Sequence, residues 1–162
     1  MEKQILFTES QGFKQWWLLA PLIVINGVFV FAIISEPDKL IEIVFPFALV
    51  LLITIGLAIS RLNTQIKEDG IYVRFFPFHR SVKHFTWDKF KTLSVQQYSP
   101  LVDYGGWGLR IAAFTGKGKA YTVSGDRGLQ IVFTDDKKLM IGTQKVEEMK
   151  DVLKKLGRLS EQ

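Results

Sequence analysis

Two long stretches of this chain contain no charged residue, Trp16 to Ile34 and Ile43 to Ser60, whereas everything after Arg61 is punctuated by charge. Each stretch approaches the twenty or so apolar residues that cross a bilayer core of about 30 Å. Neither carries the polar stripe of a water-facing helix, which argues against two buried helices of a soluble protein. They are predicted as transmembrane helices over about 14–34 and 41–60, within a hairpin unit spanning 13–61. Only Ser35-Glu36-Pro37-Asp38-Lys39 separates them, so the helices are expected to be antiparallel neighbours.

Details of the two stretches suit a bilayer. Trp16 and Trp17 follow Lys14 at the start of the first, as amphipathic aromatics and a snorkelling cation do at a headgroup boundary. Asn26 lies near the middle, where an amide facing lipid is costly, so it is expected to face the second helix. In that helix Thr54, Gly56, Ala58 and Ser60 include four-residue spacings that permit close helix contact. Asn26 and Thr54 read as packing residues rather than as a transport path, because no ionisable residue accompanies them. A cleaved signal peptide is disfavoured by the length of the first stretch and the lack of a small-x-small site before Glu36.

Beyond residue 61 the pattern changes to short alternating runs separated by turn signals, the signature of consecutive strands. Thr64–Ile66, Ile71–Phe76, Val82–Phe85, Leu93–Tyr98, Leu109–Phe114, Ala120–Ser124, Leu129–Thr134 and Leu139–Gly142 are the expected strands. Asp69-Gly70 marks the first hairpin turn. The period then becomes helical: Val146, Met149, Val152, Leu153 and Leu156 share one face, with Thr143 as expected N-cap and Gly157 as the stop. Antiparallel strands closed by one amphipathic helix predict a small barrel with the helix plugging an open end. The unit spans 62–157, between a 1–12 N-terminal segment and a 158–162 tail, both expected to be cytoplasmic.

Hydrophobic content of 48% and charged content of 23% would suit a soluble domain, so composition alone conceals this partition. Charge sharpens it. The first sixty residues hold 3 Lys plus Arg against 5 Asp plus Glu, a net −2, and the rest hold 18 against 11, a net +7. The connector offers only Lys39, while Lys3 and Lys14 precede the hairpin and Arg61, Lys67 and Arg74 follow it. By the positive-inside rule both termini are expected in the cytoplasm, making a two-pass integral protein of the inner or cell membrane. The absence of cysteine agrees with a reducing compartment.

Several segments resemble a known family. Phe85-x-Trp87-Asp88-x-Phe90, Tyr104-Gly105-Gly106-Trp107-Gly108-Leu109-Arg110, Ala120-Tyr121-x-Val123-x-Gly125-x-x-Gly128-Leu129-x-Ile131 and Ile141-Gly142-Thr143 resemble a bacterial pleckstrin-homology-like (PH-like) domain of the kind found behind paired transmembrane helices. The resemblance spans roughly residues 65–156 and implies an α+β, mainly β split barrel of about seven strands, capped by the C-terminal helix. It implies a tethered interaction role, no catalytic residues and no cofactor.

Candidate chemistry is sparse. Gly116-Lys117-Gly118-Lys119 lacks the spacing of a phosphate loop and reads as a hairpin turn. His79, His84 and Asp88 lack metal-ligand spacing, and no nucleophile motif or nucleic-acid-binding motif is present. The segment from Arg74 to Lys83 interleaves cations with aromatics about a dozen residues after the bilayer exit. Arg74, Phe76, Phe78, Arg80 and Lys83 are therefore candidates for lipid contact, against the alternative of a strand with its phenylalanines inside the barrel. Trp107 and Arg110, among three glycines, suggest either a partner groove or a bulged strand with a buried tryptophan. The expected function is a non-catalytic membrane-anchored interaction module whose partner, beyond the bilayer, is a protein or a second copy. The alternative is an accessory subunit docking through the hairpin.

Overall fold

In the computed structural model, which describes residues 4–112 and 116–160, the two uncharged stretches form helices α1, Trp16–Ser35, and α2, Leu40–Ile59. Both are long and apolar enough to cross a membrane. They are joined by a single helical turn at Pro37–Lys39. Neither buries a residue fully. The seam between them is narrow and contains the expected polar contact: Asn26 Nδ2 donates to Thr54 Oγ1 at 2.9 Å and to the Leu22 carbonyl at 2.7 Å. Phe29 meets Phe47 one turn further along, with ring centroids 5.9 Å apart. The expected small-residue contact is only partly present. Thr54 joins the seam, but a Cβ at Gly56 would meet nothing within 4 Å, and Ser60 spends its hydroxyl on the Gly56 carbonyl of its own helix.

The described residues within 4–11 and 61–160 form a second unit. Its described strands are β1 Ile5–Gly12, β2 Arg61–Lys67, β3 Gly70–Phe76, β4 Lys83–Thr86, β5 Phe90–Gln97, β6 Gly108–Ala112, β7 Gly118–Thr122, β8 Arg127–Phe133 and β9 Lys138–Gly142. Helix α3, Pro100–Tyr104, links β5 to β6, and α4, Val146–Lys155, follows β9. One sheet has the order β1-β2-β3-β4 and the other β5-β8-β9-β7-β6. Alternation explains the first sheet: Leu62, Thr64, Ile66, Ile71, Val73 and Phe75 point inward and are buried, while the residues between them are half-buried or exposed. Met149 and Leu153 of α4 complete the core with no exposed surface.

The structure departs from the expected barrel in several ways. Nine strands are present among the described residues rather than about seven, and the β7–β9 pair is parallel. Segment 1–12, to which the hydrophobic pattern assigned no element, contains β1, a sheet neighbour of β2 although α1 and α2 lie between them in the chain. Its inward positions explain why it escaped notice: Phe7, Glu9 and Gln11 are all buried, so the inward face turns polar halfway along. Residues 142–144 pair with the Glu9 carboxylate and the Gln11 amide nitrogen, while Gln11 Oε1 is buried without a hydrogen-bond partner among the described residues. Glu9 accepts hydrogen bonds from Thr143 Oγ1 at 2.6 Å and from the Gln144 amide at 2.8 Å, and Gln11 Nε2 donates to the Gly142 carbonyl at 2.8 Å.

Thr143 therefore serves a different purpose from the expected N-cap. Helix α4 starts later, at Val146, and the Thr143 hydroxyl links Glu9 to the Lys145 amide. The tail is also engaged, because the Ser160 amide donates to the Leu93 carbonyl at 2.8 Å and its hydroxyl accepts from the Leu93 amide. Lys3, and the Ala113–Phe114 end of the strand expected at Leu109–Phe114, lie outside the described residues.

Candidate membrane-contact site

Strand β3 delivers the first candidate residues by simple alternation. Phe75 points into the core with no exposed surface, and its neighbours Arg74 and Phe76 point outward. The Arg74 guanidinium lies over the Phe76 ring, 5.7 Å from its centroid. Beyond Phe76 the chain turns through Pro77, and Phe78 is 60% exposed although its ring packs tilted against Phe75, with centroids 5.4 Å apart. Arg80 and Val82 are exposed on the return leg.

His79 closes this turn. Its amide donates to the Phe75 carbonyl at 2.7 Å, and its Nδ1 accepts from the Phe75 amide at 3.2 Å. The imidazole is buried edge-on against Tyr121, with centroids 4.9 Å apart. Burial holds the imidazole below its ordinary value of 6.5, and Lys83 and Lys119 push the same way. A neutral ring is also what the bond requires, since a protonated Nδ1 cannot accept.

Arg74, Phe76, Phe78 and Arg80 thus belong to one turn, and the alternative of phenylalanines inside the barrel holds for Phe75 alone. Lys83 is set apart. It is half-buried on β4, donates to the Tyr121 hydroxyl at 3.0 Å and lies over that ring. The residue that sequence reasoning missed is Arg61, noted there only as a flanking charge. The β2–β3 register places it opposite Phe76, with Asn63 opposite Arg74. Only the pairing could reveal this, because fifteen positions separate them in the chain.

Trp107 and Arg110 form a different, local arrangement. Gly105 ends α3 in the left-handed conformation at φ 70°, and Gly106 and Gly108 have φ of 122° and 113°, values that any side chain would strain. Trp107 is half-buried and donates through Nε1 to the Gly125 carbonyl at 3.1 Å, tying this turn to the one before β8. Arg110 folds back on the same turn, its Nε donating to the Trp107 carbonyl at 3.1 Å. The bulge is absent, since β6 pairs with β7 in unbroken register from Gly108 to Ala112. The glycines turn the chain from α3 into β6 instead, and Trp107 is a strut between two turns rather than a core residue.

No protein-family description, no curated protein and no solved structure matches this chain.

Proposed function

We propose that this chain is a two-pass integral membrane protein whose β unit is a non-catalytic, PH-like interaction module held against the cytoplasmic leaflet. The turn after β3 supplies the contact with anionic lipid. The observation that carries this is the pairing of Arg61 with Phe76. Arg61 follows Ser60, the residue that ends α2, and antiparallel partners have Cα atoms about 5 Å apart. If α2 leaves the bilayer at Ile59, Phe76 and the turn that follows it begin at the headgroup level whatever tilt the β unit adopts. Arg61, Arg74 and Arg80 then meet phosphates, while Phe76 and Phe78 enter the interfacial zone.

Four further features support the reading. Both helices expose apolar side chains all round, including Ile23, Phe31, Ile41 and Phe45, and a surface so apolar needs lipid or protein around it. Strands β1 and β2 are sheet neighbours on either side of the hairpin, which requires an even number of crossings and therefore suits two. The net +7 carried after residue 60 favours the anionic leaflet, at about 1 kcal/mol for each cation near the surface. Two mostly antiparallel sheets followed by a C-terminal helix are compatible in outline with a PH-like unit, with β1, the larger strand number and the parallel β7–β9 pair as departures.

The chain has no cysteine, so single-cysteine variants give clean nitroxide probes in the full-length protein. Phe78→Cys labelled in nanodiscs containing phosphatidylglycerol should show strong collision with oxygen and weak collision with an aqueous nickel chelate. Asp135→Cys, on an exposed turn, should show the reverse. Equal nickel accessibility at the two positions would remove the lipid-contact function.

A further inference from the structure

Away from the turn after β3, a cavity of about 770 Å3 opens between β4 and the second sheet. Its size is in the range of small-molecule sites, roughly 300–1,000 Å3, and its lining is chiefly apolar. Tyr121 and Leu139 form a buried floor, and Phe85 and Phe133, with ring centroids 5.4 Å apart, form a half-buried aromatic wall. Ile111 is 66% exposed at its mouth.

The mouth is cationic. Its two carboxylates are already matched by lysines, Asp135 by Lys137 and Asp136 by Lys91, each at 2.6 Å. Lys83 is committed to Tyr121, whereas Lys89, Lys119 and Lys138 are exposed and have no ion pair among the described residues. An apolar floor beneath three unpaired ammonium groups is complementary to a molecule with an apolar body and an anionic head.

We infer that this cavity binds a single-chain anionic amphiphile of the long-chain carboxylate class, its chain against Phe85, Phe133 and Leu139 and its head among Lys89, Lys119 and Lys138. A peptide added along β4 fits less well. That strand offers only four residues, Lys83–Thr86, a short edge for pairing with an extended peptide. The inference does not rest on the turn after β3, since Arg74, Phe76, Phe78 and Arg80 do not line this site and that turn needs none of the lysines at the mouth.

The test uses the full chain in phosphatidylcholine nanodiscs and a palmitate analogue with a diazirine in its chain, with adducts mapped by mass spectrometry. Adducts are expected on the peptides bearing Phe85, Ile111 or Phe133. The triple variant K89E/K119E/K138E should label about tenfold less or weaker still, as should the uncharged alcohol analogue with the native chain. Ile111→Trp, which fills the mouth without altering charge, should also suppress labelling and guards against a triple variant that unfolds. Adducts confined to Trp16–Ile59, equal labelling by acid and alcohol, or labelling unchanged by Ile111→Trp would each overturn the inference. Displacement of the probe by an acidic peptide but not by palmitate would reassign the cavity to a peptide and overturn it equally. Anionic lipid contact at Phe78 can fail while this labelling succeeds, and the reverse, so the two proposals fail separately.

Discussion

The helical hairpin and the β unit solve the same problem in opposite directions. The hairpin turns its apolar side chains outward and keeps one amide–hydroxyl bond inside, between Asn26 and Thr54. The β unit turns apolar side chains inward, with Ile66, Ile71, Val73, Phe75, Leu129 and Ile131 all at 0% exposure, and keeps its cations outside. Under the proposed placement, with lipid around the hairpin and water around the β unit, each polarity matches its solvent. Where lipid surrounds a helix, burying a further leucine gains little, and polar contacts and close packing hold the pair together. Where water surrounds a sheet, burial of apolar area is the main driving force.

Substitutions can break that contrast, and the largest effect belongs to the β unit. Phe75→Ala should cost about 3 to 5 kcal/mol by chemical unfolding followed through the tryptophans, since a fully buried ring leaves a cavity. Ile23→Ala, which removes an exposed apolar group from α1, should be close to neutral in nanodiscs. Similar losses at the two sites would mean that the two units do not face different solvents.

Next in size is Glu9, the link between β1 and the chain's far end. Glu9→Ala leaves the buried Thr143 hydroxyl and the Gln144 amide without their acceptor, and should cost about 2 to 3 kcal/mol. Hydrogen exchange should then rise in both β1 and the first turn of α4. Exchange that rises in β1 alone would show that the two ends are not coupled through Glu9.

Asn26→Ala tests the hairpin itself, where interhelical side-chain bonds are worth about 0.6 kcal/mol on average and up to about 1.7. A loss near 1 kcal/mol in helix association, read by steric trapping in bicelles, is expected. A loss of the size expected for Phe75→Ala would mean that the hairpin has a core of its own.

The smallest effect is one of pH. The folded His79 holds its proton less tightly than the unfolded chain, so its contribution to stability is complete above pH 6.5 and is lost as pH falls from 6.5 towards the lowered folded value. Unfolding midpoints measured from pH 7.5 to 5 should therefore fall more in the native chain than in His79→Gln, which cannot titrate. Parallel curves for the two proteins would show that His79 is not the group responsible.

Much of this architecture was legible in the order of residues because it depends on local periodicity. Uncharged stretches gave the helices to within about two residues, and alternation gave β3 and β9 nearly end to end and β8 to within two residues, whereas only the Thr64–Ile66 half of β2 was found. Gly157, in the left-handed conformation at φ 61°, stops α4 as its position implied. Legibility failed where a partner distant in the chain decides the outcome. Strand β1 drew no expectation because its inward face includes Glu9 and Gln11, whose hydrogen-bond partners lie more than 130 positions away. Helix α3 was missed because five residues are too few to display a period, and its Ser99 cap and Gly105 stop only make sense together.

The candidate site divides in the same way. By itself the sequence determined that Arg74, Phe76, Phe78 and Arg80 combine cations with aromatics, and that two apolar stretches lie just before them, because both facts are properties of residue type and spacing. Tertiary structure decided that Phe75 is buried while Phe76 and Phe78 are not, that Lys83 belongs with Tyr121, and that Arg61 stands opposite Phe76. Strand register and sheet order bring distant residues together, and a one-residue shift in register would send each of these side chains to the other face.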